Sequence, residues 1–395
     1  MQIMATKYIW QQFGWPRLSV DDNKLAEALA QARLEQGRLL GQLEVIGLEQ
    51  MYEISRDLWV QDTMATAAIE GEQLNLMSVR SSVARRLGLV DAPSSDRAVD
   101  GLVELMEDAS RNFAAPLTED RLKRWQAALF AGSTMDGFAG IRRIAVGRYR
   151  DHAEAMQIVS GVPGRQRVHY EAPASSDVPR EMKAFLAWFG APQLTLADAD
   201  KKAEKNQARM NGLVRAAMAH LWFETIHPFE DGNGRVGRAI ADLALAQDVG
   251  AAVRVFGLST QLQKTRSDYY AALNAAHCGG LDVTPWVLWF VQSFSAGCLH
   301  SQEVVRAAMQ KARFWQSATS CALNERQRKV LARLLEAGDG GFVGGMTSEK
   351  YSKLTQVSKP TATRDLTQLQ GWGLLAVTGV GKATRYAVAV EGWNA

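Results

Sequence analysis

Cysteine is scarce in this chain. There are three in 395 residues, Cys278, Cys298 and Cys321, at no metal-ligand spacing. That excludes a disulfide scaffold and a thiolate metal knuckle, and fits a reducing compartment. A strong charge of either sign is also missing. Forty-five basic against 42 acidic groups leave a net +3, too little to coat nucleic acid along the whole chain or to hold a polybasic membrane anchor. No run approaches the ~18 apolar residues of a membrane span. The start, Met1 to Leu18, lacks the basic head and unbroken apolar stretch of a secretory signal. Neither an internal repeat nor a low-complexity segment is found. These absences lead to the expectation of a soluble, cytoplasmic protein without a membrane partner. What is present is apolar material for real cores, at 47% hydrophobic residues, enough for two to four folding units at ~100–200 residues each.

The pattern is mainly helical. Residues 21–90 carry apolar side chains at mixed three- and four-residue steps. Ala92 to Asp96 reads as a loop that restarts a helix behind a Ser or Asp cap, and Pro116 to Asp120 opens another. From Phe138 to Pro173 the texture changes. Glycines punctuate it, and two β-like runs flank Gly161 to Gly164, which predicts a hairpin over 156–170. Leu213 to Phe223 is a strongly apolar helix that runs into His227-Pro228-Phe229, and a second apolar helix follows from about Gly234 to Gln247.

Between those two helices lies the segment richest in chemistry, His227 to Arg238. Gly232 and Gly234 flank Asn233, so the backbone can turn successive N–H groups toward one point. The helix that follows adds its positive end, which makes an anion cradle. Arg235 and Arg238, three apart, share a helical face and present forked donors for phosphate oxygens. Asp231 is a hard oxygen ligand suited to magnesium between two phosphates. His227 suits a general base. Each feature by itself describes an ordinary Gly-rich turn; together they describe nucleotide transfer to a hydroxyl.

His227-Pro228-Phe229-Glu230-Asp231-Gly232-Asn233-Gly234-Arg235-Val236-Gly237-Arg238 resembles the Fic-domain signature at every defined position. The likeness extends to Ile141-Arg142, Tyr149-Arg150, the hairpin, Ser267 to Leu273 and Thr284 to Phe290, about residues 100–300 in all. The resemblance implies a Fic-type helical bundle with a small β-hairpin flap. It also implies transfer of AMP from ATP to a Ser, Thr or Tyr hydroxyl of a target protein or of the enzyme itself, with loss of pyrophosphate. In that reading His227 is the base and Asp231 holds Mg2+. Gly232, Asn233, Gly234, Arg235, Val236, Gly237 and Arg238 bind phosphates, and Phe229 points into the core and fixes the loop. Tyr269, Tyr270 and His277 line an adenosine pocket, with plain helix packing open for Tyr269. Ile158, Val159, Ser160 and Gly161 in the flap lay the target segment beside His227 by strand pairing.

Upstream, Thr66 and Glu70 stand four apart on one helix face, followed by Gly71. Unaided, this is a common solvated pair. Beside a Fic signature, Thr66-Ala67-Ala68-Ile69-Glu70-Gly71 resembles the family's inhibitory helix motif. That resemblance implies a carboxylate on Arg238 where the γ-phosphate belongs. It also leaves open removal of AMP from a target by a water that Glu70 aligns.

The last ~75 residues differ. Leu323 to Glu391 hold ten Lys/Arg and six Asp/Glu, a surplus of four that exceeds that of the whole chain. Three helices and two strand-like runs, 374–378 and 384–388, have the order of a winged helix-turn-helix. Lys359, Thr361, Thr363, Arg364 and Gln368 are available to DNA, with Lys382 and Arg385 on the wing; a protein-contact role stays open. The expected divisions are a helical region 1–98 carrying the inhibitory helix, a Fic domain 99–300, a linker helix 301–322 and a winged-helix module 323–395. The expected fold class is mainly α. Dimerisation through the N-terminal helices, a sensing rather than modifying role, and a donor other than ATP remain open.

Overall fold

The computed structural model describes residues 8–46, 48–89, 96–131, 144–160, 167–191, 210–252, 254–338, 341–390 and 393. Four expectations lie outside these residues: the loop at 92–95, Ile141-Arg142, the hairpin turn with Gly161, and the side chain of Lys382. Among the described residues the chain is mostly helical, with four short strands. No described helix is long and apolar enough to cross a membrane.

The chain divides into two compact units. One comprises Met1–Glu44 and Ser55–Gln302; the other comprises Val45–Ile54 and Glu303–Ala395. The elements run α1 (Asp22–Glu44), α2 (Leu48–Ile69), α3 (Leu76–Arg86), α4 (Arg97–Arg111), α5 (Glu119–Leu129), β1 (Gln157–Ser160), β2 (Arg167–Glu171), α6 (Val178–Phe189), α7 (Gly212–Ile226), α8 (Asn233–Val249), α9 (Leu258–Lys264), α10 (Arg266–His277) and α11 (Thr284–Ala318). After them come α12 (Glu325–Glu336), α13 (Ser348–Thr355), α14 (Lys359–Gly371), β3 (Leu375–Thr378) and β4 (Arg385–Val388).

The long periodic stretch 21–90 breaks into three helices, because its stop signals are local. Gly71, at φ 82°, ends α2: the Gly71 N–H reaches the Ala68 carbonyl and the Glu72 N–H reaches the Ala67 carbonyl, both at 3.0 Å. That is a Schellman stop, which a left-handed glycine completes. Asn75 then caps α3, Asp96 caps α4, Thr118 caps α5 and Asn211 caps α7, each accepting first-turn N–H groups. All fifteen residues of α7 are buried, which makes it the central helix, and it packs along α8. The α11 residue Trp286 donates its indole N–H to the Ala217 carbonyl at 2.8 Å and pins α11 to that pair. The helix α2 is held by Asp62, which accepts the Thr260 N–H at 2.9 Å and pairs with Arg254 at 3.4 Å. Arg254 also meets Asp242 of α8 at 3.3 Å, whose carboxyl burial pushes up to about 7.

The strands β1 and β2 pair antiparallel, Ile158 opposite Tyr170 and Val159 opposite Val168, with a bulge between Ile158 and Val159. In the second unit α12, α13 and α14 enclose a core of Val330, Leu331, Leu334, Tyr351, Leu366 and Leu369. Asn324 and Gln327 form a capping box on α12. The strands β3 and β4 pair antiparallel, Leu375 opposite Val388, and Met346 bridges Tyr386. The buried Tyr351 hydroxyl donates to Asp365 at 2.9 Å, which satisfies a carboxylate set inside this small core.

Candidate active site

The turn joining α7 to α8 builds the site. His227 ends α7 with φ 50° and ψ 60°, a left-handed conformation uncommon outside glycine. Its N–H completes the helix on the Phe223 carbonyl at 2.9 Å. Arg150 holds this turn from behind. The Arg150 guanidinium is buried and donates to the carbonyls of His227 at 2.8 Å, Ile226 at 3.2 Å and Pro173 at 2.5 Å, and to the Ser175 hydroxyl at 2.9 Å. The last carbonyls of a helix lack partners within it, and Arg150 supplies them at a helix end already favourable to a cation. Burial draws its pKa down to about 10. Tyr170 of β2 donates its hydroxyl to the Thr225 carbonyl at 2.6 Å, so the hairpin is moored two residues before His227.

Beyond His227, Phe229 is fully buried against Tyr149 and Phe223. The Asn233 side chain clamps the loop across its neck. It accepts the Phe229 N–H at 2.9 Å and donates to the Phe229 carbonyl at 2.8 Å. Gly232 caps α8 at φ 87°, a left-handed turn that opens the first-turn N–H groups to one side. The Asn233 side chain thus fixes the loop. The Val236 N–H donates to the Gly232 carbonyl at 3.0 Å and its side chain is fully buried. Gly237 faces Glu224 and His220; a Cβ there would come within 2.4 Å of the Glu224 carboxylate.

The end of α2 lies over the cradle. The Glu70 carboxylate accepts from Arg238 at 2.7 Å, and Thr66 receives Arg238 twice, on its hydroxyl at 2.8 Å and its carbonyl at 3.0 Å. Arg238 is 2% exposed and Glu70 30%. Burial works against the Arg238 charge, but the Glu70 carboxylate more than offsets it and holds the guanidinium above its ordinary value. A Cβ on Gly234 would sit 2.2 Å from Glu70 Oε1. The carboxylate therefore lies directly on the first turn of α8, at the negative end of its own helix and the positive end of the other. Glu72, two residues on, pairs with Arg235 at 2.6 Å. The segment after α2 thus engages both arginines of the loop. Arg238 Nη1 and Arg235 Nε are buried donors with no hydrogen-bond partner among the described residues, which suits a site made to receive more acceptor oxygens.

Asp231 is half exposed, accepts the Gly232 N–H at 2.5 Å and lies 3.4 Å from Arg235. No cluster of three metal-holding side chains occurs among the described residues. Magnesium on a nucleotide needs one or two carboxylates besides phosphates and water, so one half-exposed Asp at the mouth of the cradle fits that ion.

The remaining candidates divide. Tyr269 is buried and its hydroxyl meets His220 Nε2 at 2.8 Å. His277 is buried and stacks on Tyr170 with ring centroids 4.0 Å apart; burial pulls its pKa down to about 3. Tyr270 is partly exposed and donates to the Ile69 carbonyl at 3.2 Å, which props the end of α2. Ile158, Val159 and Ser160 lie on β1. In the second unit Lys359, Thr363, Arg364 and Gln368 are exposed on α14 and Thr361 is partly buried. Sequence reasoning named Arg150 only within a family-like segment, without a role, and passed over Glu72 and Glu224. Glu224 alone carried a visible signal, an acid three residues before the histidine within a helix otherwise rich in apolar residues.

Residues 116–245 match the Fic/DOC family, and residues 8–89 match a domain of unknown function (DUF4172). The chain is 32% identical over 93 residues to protein adenylyltransferase fic-1 of Caenorhabditis briggsae, covering 24% of this chain and 17% of that one. It is 29% identical over 115 residues to protein adenylyltransferase Fic of Nematostella vectensis, covering 29% and 22%. The alignments thus span about a fifth of these relatives' lengths. A Fic family protein from Desulfovibrio desulfuricans G20 superposes at a TM-score of 0.49 and 21% identity, over 96% of this chain and 99% of that one. The loop, its histidine and both arginines all fall inside the matched stretch, and residues 116–245 are a domain of the Fic/DOC family.

Proposed function

We propose that this chain is a self-inhibited protein adenylyltransferase that moves AMP from ATP to a Ser, Thr or Tyr hydroxyl of a target protein and of itself. One observation carries the reading. The protein's own carboxylate, Glu70, lies on the first turn of α8 and on Arg238, eleven residues beyond a histidine held at the mouth of the same turn. An anion parked in an anion cradle is what a nucleotide phosphate must replace.

With the carboxylate withdrawn, Arg238 holds the γ-phosphate and Arg235 the β-phosphate. The acceptor hydroxyl gives its proton to His227 Nε2 as its oxygen bonds the α-phosphorus. The bond from that phosphorus to the α–β bridging oxygen breaks, and pyrophosphate leaves with the electron pair. The first-turn N–H groups of α8 stabilise the charge on the phosphate oxygens. Asp231 would hold Mg2+, which when bound neutralises phosphate charge. The β1 strand of the hairpin, tied to α7 through Tyr170, presents the target backbone by strand pairing.

The test is intact-mass analysis after incubation with ATP and Mg2+. The Glu70→Gly protein gains AMP, and His227→Ala abolishes the gain while ATP still binds, because the base is lost and the cradle is not. AMP transfer by His227→Ala above a no-enzyme control would remove His227 from the role of base.

A second reading, hydrolytic removal of AMP from a target, rests on the same carboxylate, which stands where it could align a water. For the second unit, we propose a winged-helix module that contacts DNA. Lys359, Thr363 and Arg364 project from α14, while the one acid of that helix, Asp365, is turned inward to Tyr351 and Arg326.

A further inference from the structure

We infer that Glu224 is the positioning residue of His227: its carboxylate takes the Nδ1–H of the imidazole and leaves Nε2 as the bare nitrogen that faces the acceptor hydroxyl. The inference rests on the reading of His227 as the base.

A carboxylate inside a fully buried helix is costly unless a partner repays its desolvation. Glu224 is 3% exposed in the middle of the core. Three residues later, the left-handed turn at His227 folds the imidazole back along the last turn of α7. His227 Nδ1 then stands 3.6 Å from Glu224 Oε2, within ion-pair range. Nδ1 is buried and makes no hydrogen bond among the described residues, nor does Glu224 Oε1, so the imidazole and the carboxylate are left for each other across this short gap. The facing helix makes room for this carboxylate: a Cβ on Gly237 would lie 2.4 Å from Oε1. Burial raises the Glu224 pKa, but His227, His220 and Arg238 outweigh it and hold the acid below its ordinary value, so it is a charged group at neutral pH.

The chemistry requires such a partner. A neutral imidazole carries one proton, and which nitrogen bears it is set by what the other ring nitrogen's neighbour accepts. An acceptor on the Nδ1 side keeps the proton there. When Nε2 takes the hydroxyl proton, the imidazolium forms beside a fixed negative charge in a water-poor site, where that charge acts more strongly than in water. A residue that merely filled the core would have no bearing on the tautomer.

The test uses full-length Glu70→Gly protein with 15N-labelled histidine, the His227 signals being identified by their loss in His227→Ala. His227 is expected to show a protonated Nδ1 and a bare Nε2. Glu224→Gln should shift that tautomer balance and lower kcat for autolabelling by ~10–100-fold, with the KM for ATP within about twofold, since a general base contributes ~10²–10⁴ in rate. Glu224→Asp keeps the charge and retracts it by one methylene, so its kcat should fall between the two. A bare Nδ1 in the unsubstituted Glu224 protein overturns the inference, and that measurement stands even if Glu224→Gln does not fold. A folded Glu224→Gln with unchanged tautomer and kcat overturns it as well. AMP transfer surviving in His227→Ala is a separate outcome, one that removes the base itself.

Discussion

Replacing Glu70 by glycine tests the brake most directly. Glu70 follows the last residue of α2 and precedes Gly71, so glycine there does not interrupt a helix interior. The substitution deletes one charge-assisted bond of 2.7 Å to a guanidinium that is 2% exposed. Bonds of that kind contribute ~1.5–3 kcal/mol net. At ~1.4 kcal/mol per factor of ten, the fraction of sites open to a correctly seated γ-phosphate should rise by ~10–150-fold. Two controls separate release of the brake from a general disturbance. Glu70→Gln retains an oxygen that can accept from Arg238 but loses the charge, so its rate should fall between those of wild type and Glu70→Gly. Arg238→Ala removes the anchor of the brake and the clamp on ATP together, so it should stay inactive, and so should the double variant. Arg238 loses its counter-charge in Glu70→Gly, so that protein should melt at a lower temperature and recover when ATP and Mg2+ are added. Initial rates of autolabelling at saturating ATP decide the matter. Equal rates for wild type and Glu70→Gly would refute the inhibitory role of the segment Thr66 to Gly71 and leave the family assignment untouched.

Glu72→Ala frees Arg235, but Glu72 is 43% exposed, so autolabelling should rise only ~2–5-fold, as expected of a solvent-screened pair worth up to ~1 kcal/mol. For His277, burial sets the folded-state pKa at about 3 against an ordinary 6.5. The stability of the neutral form is therefore complete above pH 6.5 and is lost as pH falls toward 3. The cost at pH 5 is ~2 kcal/mol, and His277→Phe should flatten denaturant midpoints measured between pH 7 and 5. If the second unit binds DNA, anisotropy with a genomic fragment pool should show affinity falling with salt at a log–log slope of ~−0.9 per phosphate contact. Arg364→Ala should weaken it further; no binding at low salt would leave a protein-contact role for α14.

The sequence alone settled what depends on local order. The helix restarts near Asp96 and between Pro116 and Asp120, the hairpin and the three-helix layout of the last unit follow from residues a few positions apart, where backbone sterics and short hydrogen bonds decide; the breaks within 21–90 appear only in the fold. The His227 to Arg238 loop is of the same kind, since its turn, its cradle and its two arginines lie within twelve residues. Tertiary structure decided everything that couples distant segments. Glu70 and Arg238 are 168 residues apart, and no local rule pairs them; α2, fastened by Asp62 to Thr260 and Arg254, brings its end to Arg238. Arg150 stood in the sequence within a family-like segment without a role, yet it is buried beneath the turn of His227 and donates to the last carbonyls of α7. Val236 and Gly237 stand in the motif as a line of residues, but only the fold shows that the Val236 side chain is fully buried and that Gly237 lies against Glu224 and His220. A motif states which residues stand in order; the rotation of a helix about its axis decides which of them face the substrate.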